Sequence, residues 1–281
     1  MSAISPVRPS PIAGMWYEGH PKNLARIVDG FLDQAELPEL PGKVIAVIAP
    51  HAGHRYSGAV AGYAFAAVLG QTFDLVAILS PMHQPYRESL LTSAHEAYAT
   101  PLGDVPVNKE ITSDLDARLR KQLGEGLTPV TEDQEHSLEI ELPFLQRALA
   151  GGFGLLPVMV RTQSAELCQL LGTALAETLS RKNALIVAST DLSHFYTQEE
   201  ALTFDSEMLR RIESFSPEEV FRAEREGKGF ACGLGALTAV LWAARALGGN
   251  AVKVLRHATS GDVTGDYSSV VGYGAAVVLK T

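Results

Sequence analysis

Val44-Ile-Ala-Val-Ile-Ala49, running into Pro50-His51-Ala-Gly-His54, is the stretch that decides the fold of this chain. An apolar run this continuous has no wet face, which is the pattern of a strand in a parallel sheet covered by helices on both sides. Pro50 disfavours helix at Ala49 and Gly53 permits an abrupt turn, so His51 sits where a rigid strand gives way to a loop. The pattern recurs twice. Leu75-Val-Ala-Ile-Leu79 leads to Ser80-Pro-Met-His83, and Ala184-Leu-Ile-Val-Ala188 leads to Asp191-Leu-Ser-His194. Open α/β sheets bind ligands outside the carboxyl ends of their strands. The chain holds 8 His, so imidazoles at such ends point to a metal or acid–base centre.

Working outward, the segments between these runs carry helical periodicity. Leu24, Ile27, Val28, Phe31 and Leu32 form one stripe over 22–34, and Leu167, Leu170, Leu171, Leu175 and Leu179 form another over 164–179. Further helices are expected at 58–69, 109–121, 138–149, 198–212, 217–226 and 233–247. Strands are expected at 90–91, 155–160, 252–256 and 270–279. The fold class is therefore α/β, with a central mixed or mainly parallel sheet flanked by helices. No Pro-rich linker or charge block divides the sequence, so a single domain over 1–281 is expected. The Pro- and Gly-rich segment 1–20 is expected to run irregularly over it, anchored by Trp16 and Tyr17.

The chain has 281 residues, 46% of them hydrophobic, enough for a substantial core. With 32 acidic against 23 basic residues the formal net charge is -9. No basic cluster stands out, which argues against a nucleic-acid partner. The first residues lack the apolar stretch of a signal peptide, and no charge-free span suits a membrane. Cys168 and Cys232 give no disulfide framework, so a cytoplasmic setting is expected.

Several side chains can carry chemistry. His51 and His83 follow buried strands, and adjacent parallel strands lie about 4.8 Å apart, a spacing that suits two ligands on one ion. Asp191 can orient an imidazole or cap the turn; His194 can transfer a proton. His136 and Glu139 share a helical face and can pair around a site. Cys232 precedes an apolar helix and is either a ligand or nucleophile or a small buried hydrophobe. Metalloprotease, redox Cys-x-x-Cys, phosphate-loop and nucleophile-elbow motifs are all missing.

Taken together, Ala13-Gly-Met-Trp-Tyr17, Ala49-Pro-His-Ala-Gly53, Ser80-Pro-Met-His83, Glu135-His-Ser-Leu-Glu139, Ser189-Thr-Asp-Leu-Ser-His194 and the Cys232-Gly segment resemble the MEMO family, including the prokaryotic members called AmmeMemoRadiSam system protein B. The resemblance implies the fold of class III, LigB-type extradiol dioxygenases. It implies a metal triad of His51, His83 and Cys232, with Fe(II) the first ion and Cu or Zn as others. Asp191, His194 and His136 would line the same pocket as catalytic groups. AMMECR1-like and radical SAM proteins are the implied partners, besides an unidentified small molecule or peptide. Three functions follow: an oxidoreductase-like protein with a His2Cys site, a non-catalytic peptide- or partner-binding component, and a zinc-dependent hydrolase.

Overall fold

The apolar run Val44–Ala49 lies in a strand over Lys43–Ala49 that is buried on both sides. Ala46 and Ile48 face one hydrophobic layer, while Val47 and Ala49 face the other. That two-residue alternation between two dry faces is the physical reason the run shows no polar period. The computed structural model describes residues 4–281, and residues 1–3 of the expected irregular segment lie outside the described residues.

In chain order the elements begin with β1 (Val7–Arg8), α1 (Pro21–Asp33), β2 (Lys43–Ala49), α2 (His54–Ala66), β3 (Leu75–Pro81) and β4 (Leu90–Ser93). Next come β5 (Ala97–Tyr98), β6 (Val105–Pro106), α3 (Lys109–Leu123), β7 (Thr128–Val130) and a 3-10 turn at Glu139–Glu141. They continue with α4 (Leu142–Ala148), β8 (Gly154–Val160), α5 (Ala165–Leu179), β9 (Ala184–Ser189) and β10 (His194–Tyr196). The chain closes with α6 (Gln198–Glu213), α7 (Pro217–Arg225), α8 (Leu234–Ala246), β11 (Ala251–Thr259), α9 (Gly261–Thr264) and β12 (Val270–Lys280).

Among the described residues, nine strands form one sheet in the order β10-β12-β2-β9-β3-β8-β4-β7, with β11 also paired to β12. The centre, β2-β9-β3-β8, is parallel, whereas β12 and β4 join it antiparallel. The sheet is therefore mixed. Helices α1, α2 and α4 cover one face through Leu24, Val28, Phe65 and Phe144. Helices α3, α5, α6, α7 and α8 cover the other through Leu115, Leu171, Met208, Val220 and Val240. No helix among the described residues is long and apolar enough to cross a membrane.

One expectation is corrected here. β2 and β3 are not neighbours, because β9 lies between them and pairs with both. His51 and His83 thus reach one another across the end of a third strand, whose last residue, Ser189, bonds the His51 ring at 2.9 Å. The short strands β1, β5 and β6, two residues each, make a separate small sheet that had no sequence signal.

Helices α5 and α8 pack closely because Gly172 leaves room. An added Cβ would sit 2.7 Å from both the Ala239 carbonyl oxygen and Trp242 Cβ. Gly172→Ala is expected to destabilise the protein by about 1–3 kcal/mol. Urea unfolding would show a lowered midpoint at unchanged slope; an unchanged midpoint would contradict the close packing.

Candidate metal centre

Three imidazoles converge at the carboxyl end of the sheet. His51 follows β2, His83 follows β3, and His136 lies in the loop between β7 and the 3-10 turn. One ligand atom from each lies within 4.8 Å of the others. The His51 ring meets His83 edge-on at 5.3 Å and His136 edge-on at 5.6 Å, while His83 and His136 stack at 4.7 Å. Trp16, from the N-terminal segment, covers His136 with ring centroids 4.2 Å apart.

Hydrogen bonds fix which nitrogen each ring offers. The Ser189 hydroxyl donates to the Ser137 carbonyl at 2.6 Å, so His51 Nδ1–H donates to Ser189 Oγ at 2.9 Å. His51 Nε2 is left as the lone-pair nitrogen. His83 Nδ1–H donates to Glu135 Oε1 at 2.9 Å, which likewise frees Nε2. His136 Nδ1 lies 3.2 Å from the same carboxylate oxygen. Carboxylates and hydroxyls in this position set the tautomer and orientation of metal-binding imidazoles.

Glu135 is the organiser. Its buried carboxylate also accepts main-chain N–H groups of His83 at 2.7 Å, His136 at 3.0 Å and Ser137 at 3.0 Å. Burial pushes its acidity the other way, yet the hydrogen bonds from the His83 ring and the Ser137 N–H hold the carboxyl well below the usual range. Burial also keeps His136 neutral, with its pKa lowered to about 4, and drives His51 well below its ordinary value. Two of the three rings are therefore free bases at neutral pH, the form that binds metal.

The loop holding Glu135 and His136 is fastened from the N-terminal side. Arg8 is fully buried; its Nε binds Asp133 at 2.8 Å, one terminal nitrogen binds Glu139, and the other donates to the Glu135 carbonyl at 2.6 Å. Tyr17 donates to Glu139 at 2.6 Å. The pairing of His136 with Glu139 expected from helical spacing is thus corrected. Glu139 belongs to Arg8 and Tyr17, and the partner of His136 is the adjacent Glu135.

The triad of His51, His83 and Cys232 is overturned. The converging donor set is His51, His83 and His136, and Cys232 is not among it. Cys232 lies on the flank: its thiol donates to His51 Nε2 at 3.1 Å and accepts the Asp191 N–H at 3.3 Å. Burial and the neighbouring Asp191 push the thiol up, so in the metal-free protein it is the donor of the bond to His51. Gly233 makes the approach of this segment feasible, since a Cβ there would lie 2.4 Å from the Ser189 carbonyl oxygen.

Asp191 and His194 border the centre on the β9 side. Asp191 Oδ1 accepts the His51 main-chain N–H at 2.7 Å, and burial raises its carboxyl to about 7 against the opposing N–H bonds of His51 and Ala52. His194 Nδ1–H donates to the Leu192 carbonyl at 2.9 Å, and burial holds its pKa down. Two other histidines are structural. His95 bridges the Ser5 and Thr131 carbonyls, and His257 binds the buried Asp205 at 2.8 Å. Glu135, Arg8 and Ser189 were missed as supporting residues; the acidic run before His136 is a signal, but Arg8 offers none.

His54 lies inside the fold rather than in the centre. It is 4% exposed, donates from Nε2 to the Ile140 carbonyl at 3.1 Å and packs against Tyr17 and Phe144. Burial lowers its pKa from 6.5 to about 4, opposed by the Ile140 bond. Between these values the unfolded chain binds the proton and the folded chain does not, so stability falls as pH drops from 6.5 towards 4. His54→Phe is expected to remove on the order of 3 kcal/mol of that pH dependence in urea titrations at several pH values. An unaltered pH dependence would contradict the buried neutral form.

Comparison with known proteins identifies the family. Residues 8–277 match the family model described as Memo-like protein. A MEMO1 family protein of Nitrosopumilus maritimus is 33% identical over 273 residues, covering 96% of this chain and 98% of that protein. One from Methanosarcina mazei is 34% identical, covering 97% and 99%, and one from Thermotoga neapolitana is 35% identical with the same coverage. The chain that brings these histidines together belongs to the MEMO1 family, the AmmeMemoRadiSam system protein B group.

Proposed function

We propose that this protein is a metal-dependent acid–base centre in which His51, His83 and His136 hold one first-row divalent cation, with Fe(II), Cu and Zn as the ions to be tried. The observation that carries the reading is the convergence of three imidazole donors within 4.8 Å. The donor set fits such an ion: imidazole suits iron, copper and zinc, while an all-nitrogen set disfavours magnesium and calcium. A bound ion would supply Lewis acidity, or redox capacity in the case of iron or copper.

The protein's own groups do the rest. Glu135 and Ser189 hold two rings with Nε2 presented, and Trp16 shields His136 from one side. Asp191, fixed by the His51 N–H, and His194, fixed by the Leu192 carbonyl, are the groups placed to hold or move a proton at the edge of the centre. The sequence resemblance supports a LigB-type frame for the mixed sheet.

The test is metal loading of the full chain, anaerobically for Fe(II) and in parallel for Cu(II) and Zn(II), with ions counted by mass spectrometry and affinity set by chelator competition. About one ion per chain is expected, with His136→Ala weakening it more than roughly 100-fold and Glu135→Gln by roughly 10–100-fold. Cys232→Ser should bind within a few-fold of wild type. Loss of binding in Cys232→Ser, with retention in His136→Ala, would overturn the assignment.

A further inference from the structure

A cavity of about 260 Å³ adjoins Cys232, and its chemistry differs from that of the metal centre. Leu192, His194, Tyr196, Glu224, Phe230 and Cys232 line it. Tyr196 and Phe230 stack at 5.6 Å with an interplanar angle of 16°, and Phe204 braces Phe230 edge-on at 5.1 Å. The aromatic wall is therefore pre-built rather than assembled around a ligand. His194 and Tyr196 reach the cavity from either side of a bulge, where Phe195 is the extra residue opposite Val270 and Val271 and takes a left-handed φ of 66°. Bulges of this kind re-aim side chains beside functional sites.

Glu224 is the charged group of the lining that has no counter-ion. Its Oε2 accepts the Ala231 N–H at a long 3.4 Å, and among the described residues no Lys, Arg or His pairs with it. The nearby Arg222 and Lys228 bind Glu219 and Glu226 instead. Burial pushes the Glu224 carboxyl up, the behaviour of an acid held out of water without a cation. A half-buried carboxylate beside aromatic faces is the recognition chemistry of an ammonium group on an apolar body.

We infer that this cavity binds an organic cation, an amine in its protonated or quaternary form, with its charge at Glu224 and its apolar body against Tyr196 and Phe230. The far end of such a ligand points to Cys232, whose sulfur lies 3.1 Å from His51 Nε2, so the cavity is a substrate antechamber to the centre. Only this last connection rests on the proposed metal function; cation binding does not.

The experiment titrates the full chain, without added metal, with benzylammonium, benzyl alcohol and benzoate, following binding by calorimetry and amide chemical shifts. Benzylammonium is expected to bind about 10-fold tighter than the alcohol or tighter still, with benzoate weakest, and to shift amides of His194, Ala231 and Cys232. Glu224→Gln keeps an acceptor for the Ala231 N–H and should erase the preference for the cation; Phe230→Leu should weaken benzylammonium several-fold. No saturable binding of benzylammonium, equal affinity for the three probes, or a preference that survives Glu224→Gln would each overturn the proposal. Because metal plays no part in the titration, its failure would leave the three-histidine centre standing, and failure of metal loading would leave the cation site standing.

Discussion

The carboxylate of Glu135 is the constraint on which the site depends. It takes the main-chain N–H groups of His83, His136 and Ser137 and the imidazole N–H of His83, and lies 3.2 Å from His136 Nδ1, so a single buried group sets the position of the segment after β3, the loop before the 3-10 turn and two rings. A buried carboxylate is tolerated because it is saturated with donors. Its main chain is held in turn by Arg8, whose own buried charge is balanced by Asp133 and Glu139. Buried ion pairs of this kind contribute little net stability, but removing one partner costs about 3–5 kcal/mol. The arrangement is thus better understood as fixing geometry than as strengthening the fold.

From that frame the chemistry divides at Cys232. Beside it lie three imidazoles with a tryptophan cover, an environment for a soft-to-borderline cation. Also adjoining Cys232 is a cavity with an uncompensated carboxylate and stacked aromatic rings. The thiol donates to the lone pair of His51, the same atom that a metal ion requires. Asp191 touches both residues, through the His51 N–H with its carboxylate and through the Cys232 sulfur with its own N–H.

Much of this was legible in the sequence, for identifiable reasons. Buried parallel strands announce themselves as unbroken apolar runs, so β2, β3, β8 and β9 could be placed, and with them His51, His83, Asp191 and His194 at their ends. Strand order was not legible, and β9 falls between the two strands taken as neighbours. His136 stands in a polar loop whose composition suits any solvated turn, so its entry into the cluster depends on folding of residues far apart in the chain. Arg8 and Asp133 are separated by 125 residues, and no local pattern reports such a pair. The resemblance included the segments that carry His51, His83 and His136, but it assigned the third ligand to Cys232. The converging donor set has His136 in that position, and the Cys232 thiol lies beside it against His51.

X-ray absorption at the metal edge of the loaded protein tests this assignment most directly. A first shell of nitrogen scatterers at about 2.1 Å with imidazole multiple scattering, and no sulfur at about 2.3 Å, is the predicted spectrum. A sulfur contribution at that distance, abolished by Cys232→Ser, would contradict the three-histidine centre.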